Sequence, residues 1–223
     1  MKKLLFLMIA LLVGGFIGAQ GKNEKRMGEQ FLALHVGPSF PISDFASANY
    51  DNPDAGFART GFNLNLDYGF PITENLGITA SAFFNKYKLD NAAISHDLPG
   101  TRLNHWQWYG ISAGPMITQM FPRNIALNLQ VMGGVANANT PNVRYQGETV
   151  VEEDWSVAPV LVTGVDLQVG ISNKVFLLAN MDYLYMRPKF TMKYTSTGEQ
   201  PYSESIKQKI SVLNLTGGFG IRF

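Results

Sequence analysis

The stretch Gly61-Phe62-Asn63-Leu64-Asn65-Leu66-Asp67-Tyr68-Gly69-Phe70 decides the fold. Phe62, Leu64, Leu66, Tyr68 and Phe70 share one parity, and Gly61, Asn63, Asn65, Asp67 and Gly69 share the other. A two-residue repeat of this length makes a strand with one apolar and one strongly polar face. The pattern returns at the end of the chain, where Leu213, Leu215, Gly217, Phe219, Ile221 and Phe223 alternate with Asn214, Thr216, Gly218, Gly220 and Arg222. Weaker copies occur at Leu32, Leu34 and Val36 and at Leu127, Leu129 and Val131.

Working outward, the alternation and the turn residues predict eight strands, near Gln30–Phe40, Arg59–Phe70, Leu76–Lys88, His105–Met120, Ile125–Ala136, Trp155–Gly170, Val175–Thr191 and Lys207–Phe223. The connections Pro71–Asn75, Phe121–Asn124 and Ile171–Lys174 are tight and carry Pro, Asn or Ser. Pro41–Ala58, Leu89–Asn104, Asn137–Asp154 and Met192–Ile206 are long and polar. Short and long connections alternate strictly, which is the layout of an outer-membrane barrel with short periplasmic turns and long extracellular loops. The expectation is an all-β fold, a closed antiparallel up-and-down transmembrane β-barrel of eight strands located in the outer membrane. An open edge is excluded because lipid cannot satisfy unpaired backbone groups, so the last strand should pair with the first. The competing reading is a soluble eight-stranded barrel that carries a lipid inside, with the apolar face turned inward.

The N-terminus carries Lys2 and Lys3, an apolar run from Leu4 to Ile17, and then Gly18, Ala19 and Gln20, the three-part layout of a secretory signal. Residues 1–20 are therefore read as a signal peptide, 21–29 as a short periplasmic segment and 30–223 as the barrel. Without Lys2 and Lys3, 16 basic residues stand against 17 acidic ones, a net charge of −1 that leaves no basic footprint for a nucleic-acid partner. The chain has no cysteine, which excludes disulfides, thiolate metal sites and an N-terminal lipid anchor on Cys.

Several runs resemble the small outer-membrane β-barrel proteins of Bacteroidota, often called porin-like: Val36-Gly37-Pro38-Ser39-Phe40-Pro41-Ile42-Ser43-Asp44-Phe45, Tyr109-Gly110-Ile111-Ser112-Ala113-Gly114-Pro115 and the ending Gly217-Gly218-Phe219-Gly220-Ile221-Arg222-Phe223. The superfamily includes the transmembrane domain of outer-membrane protein A and mixes adhesins, membrane tethers and lipid-modifying enzymes. The resemblance implies outer-membrane lipids, lipopolysaccharide and the barrel assembly machinery as partners, with Phe223 as the assembly signal. This sequence ends at the last strand, so a peptidoglycan-binding domain is not expected.

Chemistry is sparse. The three histidines, His35, His96 and His105, show no metal-ligand spacing. His35 is expected inside the barrel as a hydrogen-bonded side chain, His96 in a solvated loop and His105 at a strand top. Ser95, His96 and Asp97 are adjacent in a loop and do not converge as a catalytic triad requires, and the C-terminal glycines lack the helix of a dinucleotide site. No catalytic, metal or cofactor residue is therefore assigned. Asp67, Asp166, Asp182 and Arg222 lie on polar faces and are expected to plug the interior as a salt-bridge and hydrogen-bond network. Trp106, Trp108 and Trp155 open strands that descend from outside, and are expected at the extracellular interface, where aromatic rings anchor. The functional expectation is a non-enzymatic envelope or surface-interaction protein that acts through its outer loops on an extracellular ligand or protein. A narrow pore is the alternative, and a lipid-modifying enzyme the third reading.

Overall fold

The computed structural model describes residues 29–90, 102–145, 148–194 and 202–223. Residues 1–28, which hold the expected signal peptide and nearly all of the expected 21–29 segment, lie outside the described residues. The chain order is β1 (Phe31–Pro41), a 3-10 turn η1 (Ser43–Ala46), β2 (Ala58–Pro71), β3 (Leu76–Leu89), β4 (Arg102–Leu103), β5 (Trp106–Phe121), β6 (Ile125–Asn139), β7 (Val143–Tyr145), β8 (Glu148–Val151), β9 (Trp155–Gly170), β10 (Val175–Met186), β11 (Lys189–Tyr194), β12 (Tyr202–Lys207) and β13 (Ile210–Arg222).

Eight of these close a barrel in the order β1-β13-β10-β9-β6-β5-β3-β2, every pairing antiparallel. The expected eight-stranded closed barrel is what forms, with β13 sealing against β1 from Phe31↔Arg222 to Pro41↔Val212. The register also fixes the tilt. Partners followed around the wall from Leu32 run through Tyr68, Ala80, Ala113, Gly133, Leu161, Tyr185 and Ser211, and the path returns at Ile42, whose N–H donates to the Ser211 carbonyl. That is ten residues above the start, a stagger that inclines eight strands steeply and leaves an interior only wide enough for side chains.

Three tight turns close one end. Phe121 pairs with Ile125 across a turn in which Arg123 and Asn124 both take left-handed backbone, with φ of 67° and 59°. Thr73 and Ser172 hydroxyls accept from the N–H groups of Leu76 and Val175 in the other two. At the opposite end the long loops hold structure that their composition concealed. β4, β7, β8, β11 and β12 form a second sheet of order β12-β11-β8-β7-β4 above the barrel rim. The expected seventh strand, Val175–Thr191, accordingly breaks after Met186, and Lys189 starts a strand of the outer sheet. The eighth begins at Ile210 rather than Lys207.

The outer wall settles which face is apolar. Leu34, Leu66, Ile111, Val131, Val157 and Leu215 are exposed, Val157 at 70% and Ile111 at 62%. Asn63, Asn65, Asp67, Asn128 and Asp182 are buried within. A wall of exposed aliphatic side chains around a closed barrel is a lipid-facing surface, and the soluble lipid carrier would need the reverse.

Candidate functional site

The lumen is filled, and its filling is layered. At the turn end Phe31, Ala33, Met116, Phe176 and Leu178 form a small apolar cluster. Phe31 and Phe176 meet edge to face at 5.7 Å, an arrangement that suits the ring quadrupoles. Glycines opposite make the room, since a Cβ at Gly69 would fall 2.0 Å from the Phe31 ring and one at Gly220 2.2 Å from the Phe176 ring. A hollow of about 70 Å³ remains at this mouth, bordered by Glu29, Asn128, Gln168 and Arg222 among others.

The middle layer is polar. His35 Nε2 lies 2.8 Å from Asp67 Oδ2 and His35 Nδ1 lies 2.7 Å from Thr216 Oγ1, so one ring ties β1 to both of its neighbours. Asp182 accepts from Asn180 Nδ2 at 3.2 Å and Asn65 Nδ2 at 3.4 Å. Asp166 accepts from Asn128 Nδ2 at 2.9 Å and Gln168 Nε2 at 3.4 Å. Gly164 leaves the space Asp182 occupies, because a Cβ there would sit 2.0 Å from Oδ1. Buried charge must be paired or hydrogen-bonded, and here amides do most of that work. The expected network of acids is present, but the basic side chain within it differs. Arg222 donates to Gln168 Oε1 at 3.2 Å and lies over the Phe176 ring at 4.7 Å, while Asp67 takes His35 as its partner. A cavity of about 10 Å³, the room of one water, lies among Asn63, Asn65, Asp67, Ser112 and Asp182. Asn63 and Asp67 each carry a side-chain oxygen with no hydrogen-bond partner.

The upper layer is apolar and aromatic, a part of the interior that the expected polar network does not reach. Tyr87, Trp108, Phe83, Met132, Leu184, Val212 and their neighbours pack into one cluster. Trp106 and Trp108 are fully inside it and not at the lipid interface, with only Trp155 of the three tryptophans exposed. Strand parity is the reason: both share the face of Ser112 and Met116, which also point inward. Tyr87 stacks on Trp108 at 4.6 Å, and its hydroxyl, together with Asn214, hydrogen-bonds Ser39.

The first long loop folds down onto this cluster. η1 drives Phe45 into the barrel mouth, where its ring is fully buried and lies 5.6 to 5.8 Å from Tyr87, Trp106 and Trp108. Gly56 is required beneath it, since a Cβ would fall 2.4 Å from the ring. Trp106 Nε1 donates to the Gly56 carbonyl at 2.9 Å. Lys209 Nζ reaches Asp54 at 2.5 Å and Asp44 at 3.4 Å, and these carboxylates raise the Lys209 pKa above its ordinary value. Nothing in the sequence marked Phe45 as a plug, because it shares a Pro- and Asp-rich loop with Tyr50 and Phe57 and has no periodic context.

Ser95, His96 and Asp97 lie outside the described residues. His105 sits at the top of β5, where burial and the charges of Lys86 and Lys88 hold its pKa below the ordinary value. Among the described residues no three His, Cys, Asp or Glu side chains converge on a common point.

No family model matches the chain, and no curated protein does. Among solved structures it is similar to neisserial surface protein A, with a TM-score of 0.51 and 15% identity over 89% of this chain and 100% of that one. It is also similar to a major outer membrane protein from Thermus thermophilus, with a TM-score of 0.58 and 11% identity over 88% of this chain and 100% of that one. At such identities the likeness is one of fold. The fold is that of the small outer-membrane β-barrels, and with the lipid-facing wall it places the chain in the outer membrane.

Proposed function

We propose that this is a non-enzymatic outer-membrane barrel with a closed lumen, acting at the cell surface through the sheet its outer loops build. The observation that carries this reading is the pairing of a filled interior with an elaborated exterior. Phe45, the His35–Asp67 layer and the Phe31–Phe176 contact obstruct the lumen at successive levels, which favours a closed scaffold over the narrow pore. Above them, β11 and β12 pair from Lys189↔Lys207 to Tyr194↔Tyr202, and β7 joins β8 and β4. Binding surfaces are commonly found on segments held up by a rigid scaffold. Among the described residues β12 and β4 are paired on one side only, so an extended segment of a partner protein has an edge to add to. The Bacteroidota resemblance and export by a leader at residues 1–20 belong to the same proposal.

The test replaces β4, β7–β8 and β11–β12 with tight turns and compares intact cells displaying either barrel for adhesion to immobilised extracellular proteins and glycans. Adhesion lost by the trimmed barrel, with heat-modifiable folding retained, is the expected result. Equal adhesion, or steady conductance of the native protein in planar bilayers, would overturn the reading.

A further inference from the structure

The lipid-facing wall is uneven around β3, β5 and β6. Outward on β3 run Ile78, Ala80, Ala82, Phe84, Lys86 and Lys88. Register sets Ala80 beside Ala113 of β5, and Ala113 beside Gly133 of β6. These small residues and Ala82 border two adjoining hollows of about 680 and 600 Å³ that share Leu66, Ala82, Ile111 and Val135. Barrel packing does not demand the glycine at the floor, because a Cβ at Gly133 would meet nothing within 4 Å.

Directly above the hollows the same face of β3 turns cationic. Lys86 is half-buried and pairs in register with Gln107, and Lys88 is exposed one step higher. Neither makes an ion pair among the described residues. Both are close enough to His105 to lower its pKa. The rim beside them carries Tyr109, whose hydroxyl accepts from Asn137 Nδ2 at 2.9 Å and whose ring packs on Trp155 at 5.9 Å. From Lys86 down to Ala80 is six residues of strand, about 20 Å at ~3.3 Å each. Tilted by roughly 40°, that run covers about 15 Å of depth, one leaflet of a hydrocarbon core roughly 30 Å thick.

We propose that this face binds a phosphate-bearing, multi-acyl glycolipid of the outer leaflet, with a phosphate between Lys86 and Lys88 and an acyl chain in the hollow at Ala80, Ala82, Ala113 and Gly133. Two ammonium groups at headgroup height select an anion. An apolar hollow directly beneath selects a chain attached to that same head. A second copy of the barrel would fill the hollow too, but it would have to bring anions to meet the lysines. The site lies on the wall, and it stands independently of what the outer sheet binds.

The test is native mass spectrometry of the purified full-length barrel in detergent with three probes: bis-phosphorylated hexa-acyl lipid A, its dephosphorylated form, and phosphatidylglycerol. The native barrel should retain bis-phosphorylated lipid A at least tenfold better than the other two. K86Q/K88Q should abolish that preference, A82L/G133L should weaken retention of both lipid A forms, and K174Q at a periplasmic turn should change nothing. Heat-modifiable mobility verifies folding, and because the lysines stand on the rim, their arm decides the matter even if the wall variant misfolds. Equal retention of all three lipids, undiminished preference in K86Q/K88Q, or a wall variant that alters only the oligomeric state would each overturn the assignment.

Discussion

Replacing Phe45 by Ala tests whether the first loop is a seated plug. The ring is fully buried and contacts three aromatic neighbours edge-on or tilted. Truncation removes roughly 100 Å³ of side chain, and at about 24 cal/mol per Å³ of unfilled cavity that alone costs about 2.4 kcal/mol. Transfer of the lost carbons adds to it, so a total of about 3 to 5 kcal/mol is expected. The loop keeps its Lys209 ion pairs and the Trp106–Gly56 hydrogen bond, so undocking should remain local. Urea unfolding in detergent, followed by tryptophan emission, reads both effects. The variant should unfold at lower urea, and Trp106 and Trp108 should become red-shifted and accessible to iodide before the barrel opens. Conductance should stay at baseline, because the polar layer and the Phe31–Phe176 contact lie below. A stability loss under about 1 kcal/mol with unchanged emission would refute the plug.

Four further outcomes are expected. Leu66→Arg, on the lipid face, should cost about 2 to 4 kcal/mol if the site lies near mid-membrane, whereas Asn65→Ser should be mild; equal loss of heat-modifiable folding would reverse the face assignment. His35→Ala leaves Asp67 as a buried carboxylate without its imidazole partner and should cost about 3 to 5 kcal/mol in urea unfolding, and His35→Ala with Asp67→Asn should recover part of it; no recovery would mean the pair is not coupled. Brominated lipids should quench Trp155 at interfacial depth and leave Trp106 and Trp108 shielded, which emission from single-tryptophan variants measures. Deleting Phe223, which packs on Tyr68 at 6.4 Å and donates its N–H to the Gln30 carbonyl, should impair insertion in cells far more than refolding in detergent, since one interfacial side chain contributes only about 1.5 to 3 kcal/mol at most; equal defects in both settings would dismiss a recognition role.

The barrel itself was legible because a membrane wall enforces the two-residue repeat along every span, from Phe62–Phe70 to Leu213–Phe223, and because the turn lengths alternate. What lay above the membrane was not. Outer-sheet strands such as β7 and β12 stand outside the lipid-facing wall, so Val143–Tyr145 and Tyr202–Lys207 have no reason to alternate. The interfacial expectation for Trp106 and Trp108 rests on residue type, whereas the parity they share with Ser112, two steps below Trp108, turns both inward. The partner of His35 was hidden for a different reason. Alternation says which side chains point inward, but only register says that Asp67 and Thr216 arrive at the same height.

The bond between His35 and Thr216 joins residues 181 apart in the chain, and the whole β1–β13 ladder shares that long reach. Every other barrel pairing joins strands that follow one another along the wall, so it can form as the chain is delivered, while this ladder must wait for the final strand. The seam is therefore a clock, and it should be movable. The Phe223 N–H lies 3.0 Å from the Gln30 carbonyl, close enough for a short linker to join β13 to β1 in a chain that starts elsewhere. A permutant cut between Ser172 and Asn173, in a turn that closes β9 onto β10, would make the 35–216 bond early and leave the β9–β10 pairing to come last, with the same barrel at the end of a different order of events.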